Sequence, residues 1–455
     1  MSINNLYSIS PVDGRYSSAV KDLNSLFSEY GLIKFRLLVE IEWFLHLSNE
    51  KSITNFSPVS NINKKKLRDI YKNLTLKDSN KIKNIEKKTN HDVKAIEYYL
   101  KEEISKIPRL KKDLVFIHFA CTSEDINNLA YSLMIKEASS KIILPKVRKL
   151  IEKIKKLSRK FSSVAMVSYT HGQPASPTTM GKELANFAAR LEETSYYYEG
   201  IKFSGKLNGA VGNYNAHMIA YPNSNWERIS KNFVENLDLT WNPYTTQIEP
   251  KDNLASLFHM FIRLNNILLD FSKDIWFYIS LKYFSQKVKK DEIGSSTMPH
   301  KVNPIDFENA EGNLGLSVIN LQHFANKLTI SRLQRDLSDS TVMRNIGVTF
   351  SHMLIGLGSL NKGIDKLQID KEVITKDLKN SWEILTEAIQ TVLRKNKVTG
   401  GYELMKEMSR GRKFNKEDYL KLISKLPVSN EDKTKLSKLT PLKYLGLAKK
   451  LAKEI

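Results

Sequence analysis

Four polar segments of the sequence combine small, turn-forming residues with side chains that can do chemistry. Histidines in such segments are suited to general acid and base catalysis, because their pKa lies near neutral pH. Threonine, serine and asparagine side chains can donate hydrogen bonds to the oxygens of an anionic ligand. The four segments are Thr89–Asp92, Cys121–Asp125, Thr170–Pro174 and Gly294–Asn303.

Each of these segments also has a purely structural interpretation. Asn90–Asp92 could cap a helix, and Thr122–Asp125 could begin the next one, with a hydroxyl cap and acidic residues in the first turn. Thr170–Pro174 could form a turn, and Gly294–Ser296 could form a flexible loop. Taken one at a time, the segments favour neither interpretation.

Several other chemistries lack their sequence signatures. None of the nine histidines stands four residues from another, so a helical metal site is not expected. Gly205, Gly209 and Gly212 do not have dinucleotide-binding spacing, and their segment is predicted to be an irregular loop. The single cysteine, Cys121, excludes an intramolecular disulfide and a cysteine-based zinc cluster.

Long helices must position these segments. Apolar residues recur by threes and fours in the stretches 143–161, 254–278 and 314–328, which is the period of one buried helix face. Pro145 is expected in the first turn of its helix, where proline is tolerated. His259, His323 and His352 lie within helical patterns and are predicted to pack or face solvent. The alternating residues Thr245–Ile248 are the clearest strand signal.

The 254–278 stretch has a second apolar face, formed by Phe258, Ile262 and Leu269. A helix that is apolar on two faces is usually buried on both. We therefore expect this helix to contact other subunits as well as its own chain. At 455 residues the chain is long enough for about three domains.

The formal net charge is +22, with 71 Lys and Arg residues against 49 Asp and Glu. The basic runs are scattered and carry no nucleic-acid-binding motif, so a solvated surface and no nucleic-acid partner are expected. A positive chain nevertheless attracts a polyanionic small substrate. The stretch Leu257–Leu281 is too charged to cross a membrane, and no secretory signal is evident, which predicts a cytoplasmic protein without a membrane partner.

The segment Ser295–Asn303 matches the S-S-x-M-P-x-K-x-N signature of the fumarase/aspartase superfamily. Within it, the chain resembles the adenylosuccinate lyases in their bacterial long form. This resemblance covers nearly the whole chain and is weakest over residues 53–85 and after residue 399. It rests on Ser10–Tyr16, Thr89–Val93, His118–Asn128, Thr170–Pro174, Asn208–Asn215, Trp241–Pro250 and Arg335–Arg344.

The resemblance implies β-elimination of fumarate from adenylosuccinate, leaving AMP, and from the succinylaminoimidazole carboxamide ribotide of purine nucleotide biosynthesis. It makes Ser295 the general base and His171 the general acid, and implies no cofactor and no metal. Glu308 would orient either His171 or the signature loop. The residues expected to bind substrate are Arg15, Tyr16, Asn90, His91, Asp92, Thr122, Ser123, Gln247, Ser296, Lys301, Asn303, Asn309, Arg335, Ser340 and Arg344.

The resemblance also implies an all-α fumarase/aspartase-like fold. Three helical domains, predicted at residues 1–111, 112–364 and 365–455, would surround a long central bundle. That bundle would form the core of a homotetramer, with each active site shared between subunits.

Three alternatives stay open at this stage. Another fumarate-releasing lyase of the superfamily, such as argininosuccinate lyase or fumarase, would carry the same signature loop. A basic nucleic-acid-binding helical protein would explain the charge without an active site. Within the site, His91 is a rival for the acid role, with Asp92 as the group that holds its tautomer.

Overall fold

The computed structural model describes residues 5–288, 297–409 and 414–455. Over these ranges the chain is mainly helical, and the strands form three two-stranded pairs. The pairs are β1 (Ala165–Thr170) with β2 (Gln173–Thr179), β3 (Ser204–Gly205) with β4 (Thr240–Trp241), and β5 (Phe284–Gln286) with β6 (Leu367–Ile369). The all-α class is therefore confirmed, because the strands only tie loops together.

The α-helices in the first half of the chain are α1 Lys21–Phe27, α2 Glu29–Asn49, α3 Asn61–Lys72, α4 Leu76–Thr89, α5 Asp92–Ser105, α6 Ser123–Glu137, α7 Leu144–Lys160, α8 Met180–Tyr196, α9 Asn215–Ala220 and α10 Trp226–Asn236. Those in the second half are α11 Asp252–Ser280, α12 Ile305–Lys327, α13 Ser338–Met343, α14 Ile346–Lys366, α15 Lys371–Lys379, α16 Thr386–Lys395, α17 Gly401–Ser409, α18 Lys416–Lys425, α19 Asn430–Ser437 and α20 Ala448–Glu454.

The chain divides into two compact units. The first unit contains residues 1–147, 194–266 and 312–358, and the second contains residues 148–193, 267–311 and 359–455. Each of the five boundaries falls inside a helix. The division into three domains stays a prediction.

The predicted helical stripes are confirmed. In α11 the residues Leu257, Leu264, Leu268 and Ile275 are fully buried, as their spacing by threes and fours requires. The stripe that ends at Phe161 likewise forms the buried side of α7. Burial of one face along the whole length of a helix is its main source of stability.

Pro145 is the second residue of α7, as expected, but no break in the helix precedes it. The helix α6 continues through a π-helical turn, Ala138–Ile143, directly into α7. A proline inside a continuous helix would clash with the carbonyl four residues earlier. The wider π turn just before Pro145 gives the chain a way to relieve that clash without ending the helix.

Two of the three residues that form the second apolar face of α11 are buried within the first unit. Phe258 is inaccessible and packs edge-on against Phe324, with ring centroids 5.9 Å apart, and Ile262 is also buried. Leu269, the third residue of this face, is half-buried, and the contact of α11 with other subunits stays a prediction. An exposed apolar stripe lies instead on α12, where Leu316 is 53% and Ile319 is 64% exposed.

The second unit has a separate core around the C-terminal helices. Leu378, Leu385, Ile389, Leu393 and Tyr419 are fully buried there. The helix α16 of this region is preceded by a 3-10 turn, Trp382–Leu385, which runs directly into it. Val167 of β1 belongs to the same cluster, so the core supports the hairpin formed by β1 and β2.

The prediction of a strand at Thr245–Ile248 is wrong. This segment is an irregular loop whose hydrogen bonds go to other loops, including one from Thr246 Oγ1 to the Gln334 carbonyl at 2.8 Å. The Gly-rich segment after Gly205 is irregular up to Tyr214, as predicted. Within the described residues, no helix combines the length and apolar character needed to cross a membrane.

His217, next to the Gly-rich loop, is fully buried. Its ring lies edge-on to Trp226 and Tyr214, with centroids 4.7 and 5.4 Å away, and neither ring nitrogen has a hydrogen-bond partner among the described residues. Burial, together with the nearby Lys206 ammonium, lowers the pKa of His217 to about 4. The imidazole is therefore neutral at physiological pH.

Because the unfolded chain binds a proton at this histidine near pH 6.5 and the folded chain does not, folding stability should fall as the pH drops from 6.5 towards 4. Because of this histidine, the free energy of unfolding of the wild type should be roughly 2 kcal/mol smaller at pH 5 than at pH 7. We predict that His217→Phe removes this difference. Urea unfolding at both pH values measures it. The exposed His323→Phe is the control, and an unchanged pH dependence in His217→Phe would contradict the prediction.

Candidate active site

The segment Thr122–Asp125 begins α6, and a buried ion pair anchors it. The Asp125 side chain accepts a hydrogen bond from the Thr122 backbone N–H at 2.8 Å, which fixes the start of the helix. It also accepts the N–H groups of Asn208 and Gly209, both at 3.1 Å. Lys206 Nζ lies 2.9 Å from Asp125 Oδ1, and both side chains are inaccessible to solvent.

The helix-cap interpretation of this segment is confirmed, and it does not compete with a function. The hydrogen bonds to Asp125 fix the backbone at the start of α6. The side chains of Thr122 and Ser123, at this helix start, are half-buried. The loop before them holds His118 and Ala120 at φ of 58° and 57°, a left-handed conformation that costs non-glycine residues free energy. Strain of this kind persists where the surroundings fix the backbone.

His118 is additionally held by a buried carboxylate. Its Nδ1 lies 2.6 Å from Glu40 Oε1, and the Glu40 side chain is inaccessible. Burial acts to lower the pKa of His118, but the ion pair with Glu40 outweighs it and the pKa is raised. This pair was not identified from the sequence, because Glu40 is 78 residues away and sits in an ordinary helical pattern.

The segment Asn90–Asp92 links two helices. Asn90 ends α4 in a left-handed conformation, and His91 caps α5, with its Nδ1 accepting the Lys94 backbone N–H at 3.1 Å. This bond leaves the Nε2 of the exposed His91 as the ring atom that faces outward. The Lys94 N–H therefore defines the tautomer of His91, and the expectation that Asp92 does so is wrong.

Asp92 instead binds two arginines. Its Oδ2 accepts from Arg36 Nη2 at 2.7 Å and from Arg344 Nη2 at 2.9 Å. Burial acts to raise the pKa of Asp92, but these two guanidinium groups outweigh it, and the pKa is lowered. Arg344 is also bound by Glu29 at 2.8 Å, so its guanidinium is fixed at two points. Thus Asp92 and Arg344, 252 residues apart in the sequence, are in direct contact, and their role in binding substrate stays a prediction.

Two further residues predicted to bind substrate, Arg335 and Gln247, are in contact in the first unit. Arg335 Nη1 donates to Gln247 Oε1 at 3.3 Å, and Gln247 Nε2 donates to the Ala210 carbonyl at 3.1 Å. Ser340 lies in α13, four residues before Arg344 and five after Arg335. Near the N-terminus, Arg15 lies over the ring of Tyr16, 6.0 Å from its centroid.

In the second unit, His171 lies at the tip of the β1–β2 hairpin. His171 and Gly172 occupy the two turn positions between paired Thr170 and Gln173, with φ of 52° and 71°. Positive φ at both central residues is the geometry that matches the twist of a two-residue hairpin. The turn interpretation is therefore confirmed, and it leaves the imidazole exposed.

The signature segment is partly described. Ser295 and Ser296 lie outside the described residues, whereas Lys301 and Asn303 precede α12 and Asn309 lies in its first turns. Lys301 is exposed, and Asn303 and Asn309 are half-buried.

Glu308 Oε1 accepts a hydrogen bond from Trp276 Nε1 at 3.1 Å. That contact favours neither of the two roles considered for Glu308. Among the described residues no cluster of His, Cys, Asp and Glu is placed to hold a metal ion.

The fold and these polar segments define a class, the fumarase-like lyases. The structure superimposes on a fumarate lyase from Mesorhizobium sp. BNC1 with a TM-score of 0.76 at 15% identity, covering 95% of this chain and 97% of that one. It superimposes on the 3-carboxy-cis,cis-muconate lactonizing enzyme of Pseudomonas putida with a TM-score of 0.75 at 17% identity, covering 100% and 98%. These likenesses establish the fold.

Sequence comparison gives the particular family. Residues 14–318 match a family model described as lyase, and residues 331–445 match one described as adenylosuccinate lyase C-terminal. The chain is 53% identical to the adenylosuccinate lyase of Legionella pneumophila strain Corby, covering 100% of this chain and 99% of that protein. It is 48% identical to the Escherichia coli K12 enzyme, with complete coverage of both. The chain belongs to the adenylosuccinate lyase family.

The buried ion pair gives a test of the site's scaffold. We predict that Lys206→Met destabilises the protein by about 3–5 kcal/mol, because it leaves Asp125 charged, buried and unbalanced. Lys136→Met is the control, since Lys136 pairs with the largely exposed Asp238 and should cost under about 1 kcal/mol. Urea unfolding of both variants measures the difference. Equal losses in the two variants would show that the buried pair is no more important than a surface pair.

Proposed function

We propose that this chain is an adenylosuccinate lyase that cleaves adenylosuccinate to AMP and fumarate, in the cytoplasm. The same site would release fumarate from the succinylaminoimidazole carboxamide ribotide of purine nucleotide biosynthesis. The observation that carries the proposal is the 53% identity to a curated adenylosuccinate lyase along the entire chain. Argininosuccinate lyase and fumarase share the fold, but the C-terminal family match favours the adenylosuccinate enzyme.

In the proposed reaction, Ser295 removes a proton from the succinyl carbon next to a carboxylate. The electron pair left on that carbon is delocalised into the carboxylate and then forms the fumarate double bond as the C–N bond breaks. His171 donates a proton to the departing nitrogen, which needs it to leave as a neutral amine. Lys301 and Asn303 would face the negative charge that develops on the succinyl part.

The first unit is suited to the nucleotide end of such a substrate. Arg335 and Arg344 are each fixed by acidic or amide side chains, which orients their donors before a ligand arrives. We assign them, with Ser340, to the phosphate and the base. His91 presents its Nε2 and is assigned to substrate binding, together with Asn90, Asp92, Arg15 and Tyr16.

Thr122, Ser123, Gln247, Ser296 and Asn309 complete the proposed site. Thr122 and Ser123 carry hydroxyls that can donate to carboxylate oxygens, at a helix N-terminus that favours anions. No metal or cofactor takes part in the proposed mechanism.

We further propose a homotetramer whose active sites are shared between subunits. The support is the apolar stripe of α12, where Leu316 and Ile319 stand three residues apart and are more than half exposed. Monomeric proteins rarely leave such a stripe open to water. The exposed hairpin that carries His171 is a suitable element to contribute to a neighbouring subunit's site.

The direct test is an absorbance assay with purified protein. We expect adenylosuccinate to be converted to AMP and fumarate, and argininosuccinate to be left intact. Ser295→Ala should reduce turnover by at least about a thousandfold while the substrate still binds, because the variant loses the base and keeps the anion contacts. Cleavage of argininosuccinate, or near-normal turnover by Ser295→Ala, would contradict the assignment.

Subunit sharing predicts recovery of activity in mixtures. Ser295→Ala and His171→Asn should each be inactive alone, the second by about 10²–10⁴-fold, as expected for loss of a general acid. After the two are mixed, partly denatured and renatured, some sites should carry neither substitution and regain activity. Tag exchange shows whether hybrids have formed. Hybrids without activity would mean that both residues act within one subunit.

A further inference from the structure

A buried carboxylate, that of Glu124, forms an ion pair with the guanidinium of Arg335. Glu124 Oε2 lies 3.3 Å from Arg335 Nη2, on the side opposite the contact between Nη1 and Gln247. The Asp339 carboxylate is farther away, at 3.8 Å. Arg335 Nε is buried and has no hydrogen-bond partner among the described residues. The guanidinium is therefore held through both of its terminal nitrogens, Nη1 and Nη2.

Glu124 is itself deeply buried in the first turn of α6. Its Oε1 lies 3.9 Å from Lys251 Nζ, and Lys251 is equally distant from Glu249 and only 4% exposed. Burial raises the pKa of Glu124, although the cations Lys251 and Arg335 act against the shift. Lys251 thus balances part of the negative charge beside Arg335, which reduces the repulsion that an incoming phosphate would meet.

We propose that Glu124 is the positioning residue that orients Arg335 for the substrate's phosphate. The proposal rests on the assignment of Arg335 to the phosphate under the proposed function. A free arginine side chain would lose rotamer freedom when the anion binds, and that loss weakens binding. With Glu124 and Gln247 in contact, the same freedom is already lost in the folded protein. Glu124 also follows Thr122 and Ser123 directly in the sequence. It therefore connects Arg335, proposed to bind the phosphate, with the two residues proposed to bind a substrate carboxylate.

The experiment uses the two products as separate probes of the two ends of the site. Glu124→Gln keeps the shape of the side chain but replaces the charged partner of Arg335 by a neutral one. We expect the inhibition constant of AMP, and KM, to rise about five- to tenfold, with kcat within about twofold of wild type. The inhibition constant of fumarate, which has no phosphate, should stay unchanged.

A double substitution tests whether Glu124 acts through Arg335. Arg335→Ala alone should weaken AMP strongly, and adding Glu124→Gln to it should weaken AMP no further. Glu137→Gln is the matched control, because Glu137 ends the same helix and its carboxylate is exposed beside Lys141. This control should leave both inhibition constants unchanged.

An unchanged AMP constant in Glu124→Gln, or fully additive effects in the double variant, would overturn the inference. If Glu124→Gln does not fold, as judged by circular dichroism, Glu124→Asp replaces it; a rise in the AMP constant alone is expected there, and its absence overturns the inference. Failure of the proposed function is a separate result, because it would appear as wild-type protein that does not cleave adenylosuccinate.

Discussion

The fully buried ion pair between Asp125 and Lys206 is the interaction on which the first unit's site depends. A charge in a protein interior is tolerated only when its partner and its remaining hydrogen bonds are in place. Here the carboxylate is surrounded by the Thr122, Asn208 and Gly209 backbone N–H groups as well as by the ammonium. Lys206 Nζ also donates to the Gly209 carbonyl at 2.9 Å. The start of α6 and the Gly-rich loop can therefore move only together.

The two arginine clusters of the first unit show two ways of fixing a guanidinium group by a carboxylate. Asp92 lies between Arg36 and Arg344, and the two positive charges lower its pKa, so the carboxylate stays ionised. Glu124 lies deeper, and burial raises its pKa despite Lys251 and Arg335. In the first arrangement Arg36 is buried, whereas Asp92 and Arg344 are partly exposed. In the second arrangement the carboxylate is buried, and its cationic neighbours Arg335 and Lys251 lie 3.3 and 3.9 Å away.

Local patterns made much of this structure predictable. The spacing of Leu257, Leu264 and Leu268 identified a long helix because its period is set by the chain itself. The hydroxyl and acids at Thr122–Asp125 identified a helix start for the same reason. The resemblance to a known family assigned residues as distant in sequence as Asp92 and Arg344 to one predicted site, which no local pattern could do.

What sequence reasoning missed depends on contacts between distant residues. Lys206 is one of 71 basic residues, and only its burial against Asp125 distinguishes it. Glu124 could be recognised as a first-turn acid but not as the partner of Arg335, 211 residues away. The second face of α11 was correctly identified as buried, yet its partner is Phe324 of the same chain, because amphipathicity does not specify what covers a face.

The helix α12 carries both a residue of the proposed active site and the exposed apolar stripe. It begins just after Lys301 and Asn303, carries Asn309 in its first turns, and presents Leu316 and Ile319 about two turns later, roughly 10 Å along its axis. A packed helix transmits displacement along its length because its backbone hydrogen bonds resist stretching. A subunit that covered this stripe would therefore contact the same helix that carries Asn309. In the proposed tetramer, one helix would then contribute both to a subunit contact and to an active site.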